Sequence, residues 1–288
     1  MIRTLVSLNA DLASSIALRY VCQFADKTSM DIKTIHVEEP ESDGNPPGTG
    51  WVRRTWEKGL LGSAETEIAQ LINAERTLYP SLCMPKLLVG DRDDEILREL
   101  HYETYDLFAE GLLYSFRGIN FDAKIHSKLY RKMPCPVLLV KKMPCPVLLV
   151  KNLVSVDKIA LLMDRSSRLN SLLFDVSKIL GGTGIQMDLF EIRVEKSSIK
   201  TPGEKRGPTF SPGDDKNQGR IPSSVDKFRD AGLELAATGT ISGDIEAIST
   251  SLEDYGMVVA CLPRHGYRKS KMADILGRIP TAVLICWQ

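Results

Sequence analysis

Short apolar runs alternate with amphipathic helical stretches along this chain, and the whole order is used twice. In the first half, "RTLVSL" is a strand that stops at Asn9-Ala10-Asp11. The next stretch, "LASSIALRYVCQFADKT", places Ile16, Leu18, Val21, Cys22 and Phe24 on roughly one helical face. "MDIKTIHV" reads as a strand, "EEPESDGNPPGTG" as a polar loop, and residues 51–76 as a long helix. "MPKLLVG" and "YDLFAEGLL" are further strands, separated by the helix "DDEILRELHYE". "AKIHSKLYRKM" is a last helix that delivers the chain to Pro134-Cys135-Pro136 and the strand "VLLV". Strands joined through helices predict parallel sheets with both faces covered.

The second half runs through the same order. "DKIALLMD" is a strand ending at Asp164, and "SRLNSLLFDVSKILGG" is a helix with a glycine stop. "QMDLFEIRVE", "LELAATG", "GMVVACL" and "PTAVLICW" are strands; "SSVDKFRDAG", "DIEAISTSLEDY" and "KMADILGRI" are helices. Between Glu195 and Ser224 lies a stretch rich in Pro, Gly, Ser and charge, expected to be a mobile loop inside the second half. A length of 288 residues suffices for two cores. The expected division is residues 1–151 and 152–288, with the boundary at about Lys151 to Val156.

At that boundary the decapeptide "KMPCPVLLVK" occurs twice in succession, at 132–141 and 142–151. The first copy follows directly on a helix and is in phase to be the last strand of the first domain. Only "KKMPCP" separates the two apolar runs, whereas a parallel crossover needs about a dozen residues. The second copy is therefore expected to be a buried connector near the domain interface, not the neighbouring parallel strand; the alternatives are that it folds back antiparallel along the sheet edge, or that it takes the strand position and displaces the first copy. Perfect identity points to a recent duplication or an error in the recorded sequence.

Composition narrows the class. Lys plus Arg and Asp plus Glu each number 37, so no global field recruits nucleic acid or an anionic membrane. Apolar runs fall far short of a spanning helix, and the polar Asn9-Ala10-Asp11 comes too early for a signal peptide. A cytoplasmic protein is the expectation. Six cysteines show no metal spacing and read as small buried hydrophobes.

In order and spacing, this chain resembles the universal stress protein family in its tandem, two-domain form. The residues that carry the resemblance are "SLNADLASS" and "LLMDRSSRL" after the first strands, "IHV" closing the second, "VGDRDDEILRE" after the third, and "KLYRKMPCPVLLVK". The resemblance implies two Rossmann-like domains of the adenine nucleotide hydrolase type. Each would be a five-stranded parallel sheet in the order 3-2-1-4-5 with helices on both faces. It further implies domains paired through their last strands, a possible homodimer, and a role in stress adaptation through an unknown protein partner.

Many members of that family bind ATP through an aspartate after the first strand and a segment G-x2-G-x9-G-[S/T] after the fourth, whose bare amides cradle phosphate. Both halves depart from the pattern. The first half has Asn9 at the aspartate position; Gly111 supplies the first glycine, but Tyr114 and Lys124 occupy the second and third. The second half keeps Asp164, while Gly266 and Ser270 lie in a loop too short for the spacing, beside the basic residues Arg264, His265, Arg268, Lys269 and Lys271. Val37 and Val194, at the ends of the second strands, complete the candidate positions for a nucleotide. The expectation is no cofactor, with ATP or another adenine nucleotide as the exception to test.

A catalytic reading finds little support. His36, His101, His126 and His265 belong to no triad or metal motif, and His36, ending a strand, is expected to be structural. "DRDDE" at 91–95 suits a helix N-terminus and "GGTG" at 181–184 a helix stop and turn. The expected function is a non-enzymatic stress-response regulator that binds partners. The alternatives are a nucleotide- or anion-responsive switch acting through the second domain, and a nucleotide hydrolase.

Overall fold

The computed structural model describes residues 1–288 except 41–48, 78, 114–118, 143–155, 165, 166, 168, 196–208, 213–220 and 265–269. The chain divides into two compact units, residues 1–112 with 126–140 and residues 113–125 with 141–288.

In the first unit the elements are β1 (Ile2–Ser7), α1 (Leu12–Ala25), β2 (Met30–Glu38), α2 (Trp51–Arg76), β3 (Lys86–Val89), α3 (Arg92–Tyr102) and β4 (Leu107–Leu113). After α4 (Ile119–Ile125), which groups with the second unit, come α5 (Lys128–Lys132) and β5 (Val137–Lys142). The strand order is β3-β2-β1-β4-β5, and the pairs β1–β2, β1–β4 and β2–β3 are parallel. Consecutive residues of β4 and β5, such as Leu107-Phe108-Ala109 and Val137-Leu138-Leu139, are buried. Successive side chains of a strand point to opposite faces, so the sheet is covered on both.

The second unit comprises β6 (Lys158–Met163), α6 (Leu169–Leu180), β7 (Gln186–Val194), β8 (Thr209–Pro212), α7 (Ile221–Asp230), β9 (Leu235–Gly243), α8 (Ile245–Thr250), β10 (Met257–Leu262), α9 (Lys271–Arg278) and β11 (Ala282–Trp287). Its strand order is β11-β10-β6-β7-β9-β8; all neighbours are parallel except β8, which runs antiparallel to β9. The five parallel strands follow the same 3-2-1-4-5 plan.

Three expectations need correction. The stretch expected as loop, 195–224, contains a sixth strand, β8, and the first turn of α7. Phe210 anchors β8 by setting its ring edge-on to Phe190, centroids 5.6 Å apart, a contact that flanking Pro and Gly hide from composition. The single helix read in "AKIHSKLYRKM" is two, because Ser127 starts a new one by accepting a hydrogen bond from the Tyr130 amide. And α4 belongs with the second unit, where the Phe121 ring lies against Gly277 of α9.

The first decapeptide copy forms β5, beside β4, with the Phe108 amide donating to the Pro136 carbonyl. Residues 143–151 of the second copy fall outside the described residues.

A repeated device ties the amino ends of the strands in each unit. Asp106 and Gly256, which precede β4 and β10, donate backbone hydrogen bonds to Arg3 and Lys158 of β1 and β6. These cations lie over Tyr105 and Tyr255, at 5.3 and 4.7 Å from the ring centroids. Each tyrosine hydroxyl then donates to a buried carboxylate: Glu99 at 3.0 Å and Asp188 at 2.7 Å. Burial and that neighbouring carboxylate raise both phenol pKa values. The sequence order alone does not reveal this correspondence.

Candidate functional site

In an open parallel sheet ligands bind beyond the carboxyl ends of the strands, where strand order reverses. That point lies between β1 and β4 in the first unit and between β6 and β10 in the second.

Between β1 and β4 the first unit places its own side chains. Glu110, 2% exposed, stands in β4 opposite Ser7 of β1. The Arg92 guanidinium, from the first turn of α3, reaches in to Glu110 at 2.5 Å and to the Ser7 hydroxyl at 2.9 Å. Tyr130 of α5 donates its hydroxyl to the other Glu110 oxygen. Burial would lower the Arg92 pKa, but Glu110 outweighs it and the net shift is upward; burial and Glu110 push the Tyr130 phenol far up. The group is held from behind as well: the Arg92 amide donates to Glu39, and Asp93 accepts from the Leu129 amide.

Gly111 stands next to this cluster and closes the cleft further. A Cβ there would lie 2.1 Å from the Ala13 carbonyl oxygen in the first turn of α1. Its glycine is thus required by close backbone packing, not left bare for a phosphate. Asn9 donates its amide to the Ser14 hydroxyl at 2.8 Å, and Asp11 caps α1 through the Ser14 amide at 2.7 Å. Val37 is buried in β2, and neighbouring His36 contacts the Leu8 carbonyl at 2.8 Å and Glu38 at 3.0 Å. Tyr114 is outside the described residues, and Lys124 lies in α4 with the second unit.

In the second unit Ala260 occupies the β10 position matching Glu110, the same distance past the amide bonded to the first strand. Asp164 follows β6 and folds its carboxylate onto its own turn, accepting from the Ser167 amide and hydroxyl, both at 2.8 Å. Val194 ends β7, and its carbonyl accepts from Lys271 at 3.4 Å. Arg264 follows β10, its guanidinium 5.8 Å from the Trp287 ring centroid. Ser270 caps α9 through the Ala273 amide at 3.3 Å. Gly266 and its basic neighbours 265 and 267–269 lie outside the described residues. Asp164, Val194 and Arg264 thus each stand at the carboxyl end of a strand, and Ser270 at the start of α9.

Sequence reading missed Arg92, Ser7, Glu110 and Tyr130. The available signal was Glu110 itself: a carboxylate inside the apolar strand "LFAEGLL" must find a buried partner. Asp91 and the acidic first turn of α3 do cap that helix, Asp91 accepting from the Asp94 amide at 2.9 Å. Among the described residues no group of His, Cys, Asp and Glu could hold a metal ion. No described helix is long and apolar enough to cross a membrane.

No family model matches the sequence, and no curated protein matches it. Solved structures do match its fold. A universal stress protein from Archaeoglobus fulgidus DSM 4304 aligns with a TM-score of 0.60 and 14% identity, covering 100% of this chain and 96% of that one. A putative universal stress protein from Pseudomonas aeruginosa UCBPP-PA14 gives 0.55 and 13%, covering 99% and 93%. A protein of unknown function from Pseudomonas aeruginosa PAO1 gives 0.54 and 14%, covering 99% and 92%. The chain has the universal stress protein fold over its whole length.

Proposed function

We propose that this chain is a stress-response regulatory protein that acts by binding partners, with the ligand cleft of its first unit closed by its own side chains. The observation that carries this reading is the buried Arg92–Glu110–Tyr130–Ser7 cluster at the point where strand order reverses. An anionic ligand there would displace Arg92 from Glu110 and leave a carboxylate buried and unpaired, which costs several kcal/mol. In that arrangement Arg92 and Tyr130 hold the Glu110 carboxylate and Arg92 holds the Ser7 hydroxyl, and the reading is non-catalytic. A thermal-shift titration with ATP, ADP and AMP tests it, because a ligand of the native state raises stability by mass action. No shift is expected from the first unit; a shift abolished by Asn9→Ala would refute the reading.

A second reading rests on the other unit. There the position of Glu110 is taken by Ala260, Asp164 and Arg264 follow β6 and β10, and Ser270 and Lys271 stand at the amino end of α9. This arrangement supports an anion- or nucleotide-responsive switch confined to the second unit. Asp164→Ala and Arg264→Ala should each weaken any nucleotide-induced shift.

A further inference from the structure

At the amino ends of β7 and β9, away from the candidate cleft, the second unit has a hollow of about 410 Å³. That volume lies in the range of small-molecule sites. Leu180, at the end of α6, and Ile185 and Met187, where the chain enters β7, give it an apolar and buried side. Two turns wall it, one at 181–184 between α6 and β7 and the other at Gly232 between α7 and β9. Gly182, Gly184 and Gly232 have φ values of 73°, 66° and 74°, a region that favours glycine. A Cβ at any of the three would meet no atom within 4 Å, so the walls are bare backbone at those points. Between the turns β9 bulges: Met187 pairs with Leu235 but Asp188 with Ala237, which leaves Ala236 out of the ladder and against the hollow.

The first unit fills the corresponding place with a side chain of its own. The pairs Gly90-Asp91 and Gly243-Asp244, whose aspartates cap α3 and α8, align the two connections. Eleven residues before each of these glycines stand Tyr79 and Gly232. Met30 and Ile185 correspond as well, since each precedes the residue, Asp31 or Gln186, that pairs with Arg3 or Lys158. The Tyr79 hydroxyl donates to the Met30 carbonyl at 3.0 Å, so the ring spans from the α2–β3 connection to the start of β2. Where the first unit has a phenol reaching a backbone carbonyl, the second has glycine and open space.

Tyr79 supplies the template for an occupant: one aromatic ring carrying a hydroxyl donor. Charge sets the other end of the molecule. Among the described residues that line the hollow, Glu234 alone is charged, which favours an ammonium and disfavours a carboxylate. We propose that the hollow binds small aromatic amines that carry a phenol. The site is separate from the cleft at the carboxyl ends of the strands and does not depend on whether that cleft takes a nucleotide.

The test is saturation-transfer NMR and calorimetry of the full chain with tyramine. Phenethylamine, which lacks the hydroxyl, and 4-hydroxyphenylacetate, which reverses the charge, serve as comparison probes. Tyramine is expected to bind, with phenethylamine weaker by about two- to tenfold for the lost hydrogen bond and 4-hydroxyphenylacetate weaker than tyramine. Glu234→Gln should weaken tyramine by up to about fivefold, the scale of an exposed ion pair, and should leave 4-hydroxyphenylacetate no weaker. Ala236→Trp, at an exposed position, should fill the hollow and abolish binding while the melting temperature stays that of the parent. The variant Asp164→Ala, Arg264→Ala should bind tyramine as the parent does. No binding of tyramine at millimolar concentration overturns the proposal, as does equal affinity for 4-hydroxyphenylacetate or binding that survives Ala236→Trp. Loss of binding in Asp164→Ala, Arg264→Ala would place the molecule in the other cleft and overturn it too.

Discussion

Glu110 concentrates the consequences of single residues. Its two oxygens are taken by Arg92 and Tyr130. Tyr130→Phe leaves one of them without that partner and should cost about 1–3 kcal/mol in denaturant unfolding. Arg92→Ala leaves a buried carboxylate unpaired and should cost about 3–5 kcal/mol, whereas Arg92→Met with Glu110→Leu and Tyr130→Phe should come close to neutral. A triple variant as unstable as Arg92→Ala would show that the cluster does more than satisfy its own buried polar groups. Asp175 offers a different, pH-dependent handle. Burial raises its pKa above the ordinary carboxylate value, against the pull of Cys286, Lys178 and Arg264. A raised folded value means the native state binds the proton more tightly, so stability is lost as pH rises from the unfolded value through the folded one. Asp175→Asn should therefore stabilise the protein at pH 7 and lose that gain near pH 3. Equal effects at both pH values would contradict the assignment.

At the level of elements, the doubled decapeptide gives the sharpest expectation. Deleting ten residues yields the same sequence whichever copy is removed, and the remaining copy retains the helix α5 that leads into β5. The shortened chain should keep its circular dichroism spectrum, with the melting temperature within about 4 °C, the equivalent of roughly 1 kcal/mol for a domain this size. Failure to fold would show that the second copy is structurally required. Most strands and helices were legible in the sequence because their apolar periodicity is set locally. β8 was not, since its four residues take their strand form from antiparallel pairing with β9, which comes after α7 in the chain. The break between α4 and α5 hinged on one capping serine inside a continuous helical pattern. The site was legible only in its absences. Asn9 and Lys124 departed from the nucleotide-binding pattern in plain view, but the Arg92–Glu110–Tyr130 cluster joins three elements that only the folded sheet brings together.

For the whole molecule, the two units share one βα plan and one cation–tyrosine–carboxylate tie at the strand amino ends. They differ at the carboxyl ends, where ligand binding is decided: Glu110 and its partners occupy the first, and Ala260 stands at the matching place in the second. Isothermal calorimetry of ATP against the full chain and its Asp164→Ala, Arg264→Ala variant tests this difference most directly. The account expects no binding to the variant at near-physiological salt, with any heat from the parent chain arising in the second unit. A micromolar dissociation constant that survives in the variant and is lost in Asn9→Ala would place the ligand in the first unit and contradict the closed cleft.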